Sequence, residues 1–133
     1  MISNFPFISL RQAMVVVRVA TAIFFMAHAV VRIAKGTIPQ FAQFMGSVGF
    51  PQPELVVWAI TVCELVAGSL LIANRFVRPA AMVLFTIAFA GIILIHRKLG
   101  WFVGEHGTGG SEYSVALIVL LLAICAADRE QAK

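Results

Sequence analysis

The sequence predicts an all-α membrane protein, a bundle of four transmembrane helices with a short interfacial or re-entrant helix between the first two. The first observation is composition: 61% of the 133 residues are hydrophobic and 12% are charged, whereas soluble domains are about 25% charged. The second is length, because four apolar segments approach the roughly 20 residues that a helix needs to cross a bilayer. These segments are 12–31, 55–73, 79–96 and 112–127, and we expect residues 1–133 to form one domain.

The stretch after the first segment, residues 35–53, predicts the short helix. Phe41, Phe44 and Met45 recur at a spacing that places them on one helical face. Gly49 then provides a stop signal. An apolar face on so short a helix is typical of a segment that lies on the membrane surface or dips into it.

The remaining connections predict how the long helices are arranged. The tight charged turn ANRFVRPA at 73–80 predicts that the second and third helices are antiparallel neighbours. The glycine-rich loop at 96–112 carries Trp101, a residue suited to the membrane interface. Four crossings would place both termini on the same side as the 74–79 turn.

The distribution of basic residues indicates how the helices are oriented in the membrane and argues against nucleic acid as a partner. Basic residues cluster at helix ends and form no long polybasic tract, so we expect no nucleic-acid binding. The side with the termini carries five of them, against four on the other side, which favours cytoplasmic termini. The two groups are Arg11, Arg75, Arg78, Arg129 and Lys133, and Arg32, Lys35, Arg97 and Lys98.

Glu64 lies in the middle of the second apolar segment, where an ionisable side chain is costly unless it has a partner. If the first helix enters the membrane near residue 11 and the second leaves it near 74, Arg18 and Glu64 lie roughly 10 and 15 Å deep from the same side. The sequence therefore predicts a buried Arg18–Glu64 ion pair that fixes helix register. A proton-carrying or ligand-binding role for the pair is a further hypothesis.

A second polar group is predicted at the opposite interface. His28 and His96 each lie about 17 residues into their helices, so both would reach the far side of the bilayer. Arg32 and Lys35 follow His28 on the same helical face, and Glu112 opens the last helix at a similar level. We interpret these five residues as a candidate mouth for a ligand or a partner protein.

Several chemistries fit such a mouth, and the sequence leaves the cofactor open. Histidine and arginine donors could bind the carbonyls of a quinone while the apolar interior holds its tail. Haem is less favoured, because only the two histidines of a haem pocket are visible. No metal site is predicted, since a third ligand would have to come from Glu112 or His106. The simplest alternative is that headgroups and water satisfy these side chains.

The order of these segments resembles the DoxX family of small four-helix bacterial membrane proteins. The resemblance is carried by VVVRVATAIFFMAHAVVRIAKG, by the GFPQP turn, by AITVCELVAGSLLIANRFVRPAA, and by HRKLG and GSEYS. Its most specific residues are the helix-1 arginine, the turn residues, the helix-2 glutamate with its following glycine, and the R-x-x-R-P-A-A arginines. They are Arg18, Gly49, Pro51, Glu64, Gly68, Arg75 and Arg78.

The resemblance implies a role beside redox enzymes of the bacterial inner membrane. Family members resemble subunits of thiosulfate:quinone oxidoreductase systems and of a complex that acts in oxidative stress, so the expected function is that of a quinone-linked accessory subunit. No self-contained catalytic motif is present, and whether the chain is an enzyme stays open. The alternative is a binding or assembly protein that holds a lipid or a partner's segment. A membrane or redox protein partner is expected, and self-association is compatible with both hypotheses.

Overall fold

The computed structural model describes residues 4–104 and 109–131, and within these residues the chain is all-α, with no strand. Helix α1 (Leu10–Ala34) leads to the short helix α2 (Ile38–Ser47). Three more helices follow, α3 (Pro53–Ile72), α4 (Val77–Leu94) and α5 (Glu112–Gln131), with a 3-10 helix at His96–Leu99 between the last two. The all-helical class and the short helix between the first two long ones are as predicted.

The ends of the helices follow from local sequence. Ser9 caps α1 in a capping box, in which the Gln12 amide donates to the Ser9 hydroxyl and the Gln12 side chain accepts from the Ser9 amide. Helix α2 has a proline in its first turn, where the missing amide proton costs nothing. Between α3 and α4, Asn74 and Phe76 adopt left-handed backbone conformations that reverse the chain within a few residues.

Helix α4 is two residues shorter at its end than the predicted segment. The third apolar segment was expected to continue as a helix to His96, but α4 ends at Leu94 and Ile95 leaves the helical conformation with φ −120° and ψ −64°. His96 therefore begins the 3-10 helix, together with the basic residues Arg97 and Lys98. This change of direction turns the imidazole back toward α4, where it lies next to Gly91.

The four long helices close into a ring in which each is antiparallel to its neighbours. Helix α1 packs against α3 and α5, and α4 packs against α3 and α5. Arg78 at the start of α4 contacts Asp128 at the end of α5, so these two helices run in opposite directions. Helix α2 lies on α3 through Ile38, Ala42 and Met45, which cluster with Val57.

Small residues line the helix contacts and allow close approach, as in many membrane bundles. The α1–α3 contact is close: a methyl group added at Gly68 would collide with the Met26 side chain and lie 3.4 Å from the Ala22 carbonyl oxygen. This contact sets the register of the two helices. Other buried alanines on the long helices are Ala29, Ala67, Ala80, Ala81 and Ala88.

Three of the described helices, α1, α3 and α4, are long and apolar enough to cross a membrane. Helix α5 is not among them, because charges at both of its ends shorten its apolar part to residues 113–127. It nevertheless has 20 residues, packs against α4 and α1, and turns Val119 and Leu122 outward. The structure thus supports a membrane protein with three apolar helices and a fourth long helix closing the bundle.

Candidate functional site

Glu64 is buried and forms an ion pair with Arg32, which is partly buried. Arg32 Nη1 lies 2.8 Å from Glu64 Oε2, and the two side chains are 13% and 5% exposed. The same nitrogen donates to the Thr61 hydroxyl at 2.7 Å, and that hydroxyl donates to the Val57 carbonyl at 2.8 Å. A buried charge in a helix bundle needs such a partner, because removing it from water costs several kcal/mol.

The prediction that Arg18 pairs with Glu64 was wrong, and helix register is the reason. Gly68 lies opposite Ala22 and Met26, so on the antiparallel helices Arg18 is level with the turn at Asn74. Arg18 and Asn74 indeed line the same small cavity. That turn is ten residues from Glu64, or about 15 Å along the axis. The prediction had aligned residue 11, and not residue 18, with the turn.

Arg18 instead lies at the opposite end of the bundle. Its Nε is buried and has no hydrogen-bond partner among the described residues. The small cavity there also includes Asp128, whose carboxylate accepts a hydrogen bond of 3.0 Å from Arg78 Nε. Arg18 therefore belongs to a separate polar cluster near the described chain ends.

The ring stacked on Arg32 belongs to the short helix. The Arg32 guanidinium carbon lies 5.2 Å from the centre of the Phe41 ring, a distance at which a cation is attracted to an aromatic face. Helix α2 thus contributes directly to holding Arg32. The sequence pattern indicated Phe41 only as part of an apolar face, and it did not single out Thr61, although Thr61 lies one helical turn before Glu64.

Arg32 and Glu64 line a cavity of about 470 Å³ bordered by α1, α2, α3, α4 and the start of α5. This volume falls within the roughly 300–1,000 Å³ range of small-molecule sites. The walls are mainly apolar and aromatic, and include Phe25, Met45, Phe50, Ile60 and Leu117.

Both predicted histidines line this cavity. His28 reaches it from α1 and His96 from the 3-10 helix after α4. Partial burial lowers the pKa of His96, since desolvation disfavours the charged imidazolium. His96 is therefore predominantly neutral at pH 7, with one ring nitrogen as a donor and the other as an acceptor.

Tyr113 completes the cavity and was missed by sequence analysis. Its ring centre lies 6.1 Å from that of His28 and 6.4 Å from that of Phe24. Tyr113 also lines an open groove of about 780 Å³ between α1 and α2. His28, Arg32 and Phe41 likewise line both the groove and the cavity. These four residues separate the cavity from the groove. The sequence signals for Tyr113 were its position next to Glu112 and its place in the GSEYS segment.

Two of the predicted mouth residues do not line the cavity. Glu112 accepts a hydrogen bond of 2.8 Å from the Val103 backbone amide, so it holds the loop before α5. Lys35 caps the end of α1 and is exposed. The proposed mouth thus separates into His28, Arg32 and His96 at the cavity and two residues outside it.

The positions of the histidine, cysteine and carboxylate side chains indicate whether a metal ion could be bound. Among residues 4–104 and 109–131, no group of three or more histidine, cysteine, aspartate or glutamate side chains is arranged to hold a metal ion. His106, considered from the sequence as a third ligand, lies outside the described residues.

The chain was compared with known proteins. None of the curated proteins and none of the solved structures compared with it matches. The DoxX family model matches residues 13–97, which span α1 through the start of the 3-10 helix and contain His28, Arg32, Glu64 and His96. Tyr113 and the rest of α5 lie outside the match. Because the match covers well over half of the chain, this protein is a member of the DoxX family.

Proposed function

We propose that the protein is an integral membrane accessory subunit of a quinone-linked redox or oxidative-stress system, and that it binds a quinone in the 470 Å³ cavity. The observation that carries the proposal is the combination of apolar walls with polar groups. His28, Arg32, Glu64, His96 and Tyr113 all border one cavity. Small-molecule sites characteristically combine a largely apolar lining with a few polar groups that orient the ligand.

The polar side chains fit a quinone ring. Its carbonyl oxygens accept hydrogen bonds, and the imidazoles of His28 and His96 and the Tyr113 hydroxyl can each donate one. None of these three side chains makes a side-chain hydrogen bond to another described residue. When bound, a quinone supplies a carrier for two electrons and two protons. In this proposal the histidines orient the ring, the Arg32–Glu64 pair holds α1 against α3, and a redox partner protein supplies the electrons.

The proposal includes a bilayer arrangement. Helix α5 would form the fourth crossing in the bacterial inner membrane, with the termini in the cytoplasm. Support comes from its antiparallel packing on α4 and from the outward-facing Val119 and Leu122. The amphipathic α2 would lie at or dip into the periplasmic interface.

Quinone content tests the proposal. Wild-type protein, His96→Ala and the control Glu54→Gln would be purified from the same membranes, and acidified organic extracts analysed by mass spectrometry. Glu54 is an exposed carboxylate in the first turn of α3, outside the cavity. We expect close to one quinone per protein in the wild type and in Glu54→Gln, and a clear loss in His96→Ala, which removes a donor to the ring. Background lipid alone in all three would contradict quinone binding.

A second candidate is a binding or assembly protein without redox chemistry. The open groove between α1 and α2, bordered by Phe24, Val31 and Phe41, favours it, because it could hold a lipid chain or a partner's helix. Co-purification of a membrane protein from gently solubilised membranes, lost in Val31→Glu and accompanied by no quinone, would favour this candidate over the first.

A further inference from the structure

The cavity in which we propose quinone binding is lined by two opposite charges that neutralise each other. Of the described residues that line it, only Arg32 and Glu64 carry a formal charge at neutral pH, since the histidines are mostly neutral there. Their 2.8 Å contact neutralises both at the wall of the cavity. A ligand that enters therefore meets no unpaired charge from the described lining.

Arg32 is also held in place on several sides. Its Nη1 donates to both Glu64 and Thr61, and Phe41 covers one face of the guanidinium. To bind an anionic group, Arg32 would have to give up or share the Glu64 carboxylate. The incoming anion would then lie next to Glu64, and two like charges in a poorly solvated site repel strongly.

A neutral head group meets no such obstacle. The imidazoles of His28 and His96 and the Tyr113 hydroxyl can bond a carbonyl or hydroxyl oxygen without disturbing the ion pair. Apolar side chains such as Phe25, Ile60 and Leu117 can enclose the rest of the ligand.

We propose that the Arg32–Glu64 ion pair determines the charge selectivity of the cavity, so that it accepts a neutral, hydrogen-bonding head group on an apolar body and rejects an anionic one. Glu64 is then a specificity-determining residue, because its carboxylate occupies the position that a ligand anion would need. This inference rests on the proposed ligand-binding function and narrows the class of ligand.

The test compares two probes of similar size, decylbenzoquinone and decylbenzoate, at mildly alkaline pH where the benzoate is ionised. Each is titrated into purified protein in nanodiscs, and the dissociation constant is obtained by equilibrium partition. Wild type should bind the quinone at least about 10-fold more tightly than the benzoate, the factor expected from one charge-assisted contact. Glu64→Gln should reverse this preference by gaining affinity for the benzoate, since Arg32 then lacks its counter-ion.

Glu54→Gln removes the same charge outside the cavity and should behave as the wild type does. Equal binding of the two probes by wild type overturns the inference even if Glu64→Gln fails to fold. So does a folded Glu64→Gln protein that gains no affinity for the benzoate, although quinone binding by wild type would leave the proposed function standing. If wild type binds neither probe, the proposed function fails and the inference fails with it.

Discussion

At the scale of single residues, the Arg32–Glu64 pair should be strongly coupled. Arg32→Gln or Glu64→Gln alone should lower the free energy of unfolding by about 3 kcal/mol, because each leaves a buried charge without its partner. The double variant should cost much less than the sum of the two. Unfolding by dodecyl sulfate titration in mixed micelles would measure this double-mutant cycle.

The matched control is Arg18 with Glu64, the ion pair that the sequence predicted. Arg18 is about 15 Å from the level of Glu64 along the bundle axis, so the effects of Arg18→Gln and Glu64→Gln should add within about 0.5 kcal/mol. Strong coupling between Arg18 and Glu64, with none between Arg32 and Glu64, would show that the helix register described above is wrong.

His96 should make stability depend on pH. Burial lowers its pKa in the folded protein, so between the folded and unfolded pKa values the unfolded chain binds more protons and stability rises with pH. As pH falls through the unfolded value of about 6.5, the folded protein should lose stability until the folded pKa is passed. Melting temperatures from pH 8 to pH 5 should therefore fall more for wild type than for His96→Gln. Parallel curves would contradict the prediction.

At the scale of helices, Gly68 should be essential to the contact between α1 and α3. Gly68→Ala places a methyl group against Met26 and near the Ala22 carbonyl, and overpacking of this kind costs about 1–3 kcal/mol. Gly46→Ala is the control, since its added methyl group meets only the Pro53 side chain at 3.5 Å. Thermal unfolding should show a lower melting temperature for Gly68→Ala alone, and equal effects would argue against a tight contact at Gly68.

The same contact shows which features the sequence could and could not predict. Apolar length and turn residues were enough to identify the long helices and α2, because each depends on residues adjacent in the chain. The partner of Glu64 depends instead on how far α1 slides along α3. The prediction placed residue 11 of α1 level with the α3–α4 turn, and the structure places residue 18 there, a shift of seven residues or about 10 Å. With the predicted alignment Arg18 is the arginine within reach of Glu64, and with the observed one it is Arg32. The hydrophobic pattern does not depend on this shift and therefore could not predict it. Tyr113 was missed for a similar reason, since only the packing of α5 against α1 brings it to His28.

At the scale of the whole molecule, the antiparallel ring of helices places the described chain ends at one end of the bundle and the cavity toward the other. The start of α1 and the end of α5 border one groove, lined by Leu10, Arg11, Glu130 and Gln131. The cavity lies toward the other end, near the end of α1 and the start of α5. If α1, α3 and α4 cross the bilayer, an α5 that packs along them should cross it as well. The cavity would then open toward the side opposite both termini.

Single cysteines can test this arrangement after Cys63 and Cys125 are replaced by alanine. The exposed positions Arg75→Cys, Lys98→Cys and Gln131→Cys report on the α3–α4 turn, the loop after α4 and the end of α5. A membrane-impermeant maleimide should label Lys98→Cys in intact cells and the other two only after permeabilisation. Three crossings would leave the results at Arg75 and Lys98 unchanged, because both precede α5. Labelling of Gln131→Cys in intact cells together with Lys98→Cys would therefore exclude the fourth crossing and place the end of α5 on the periplasmic side.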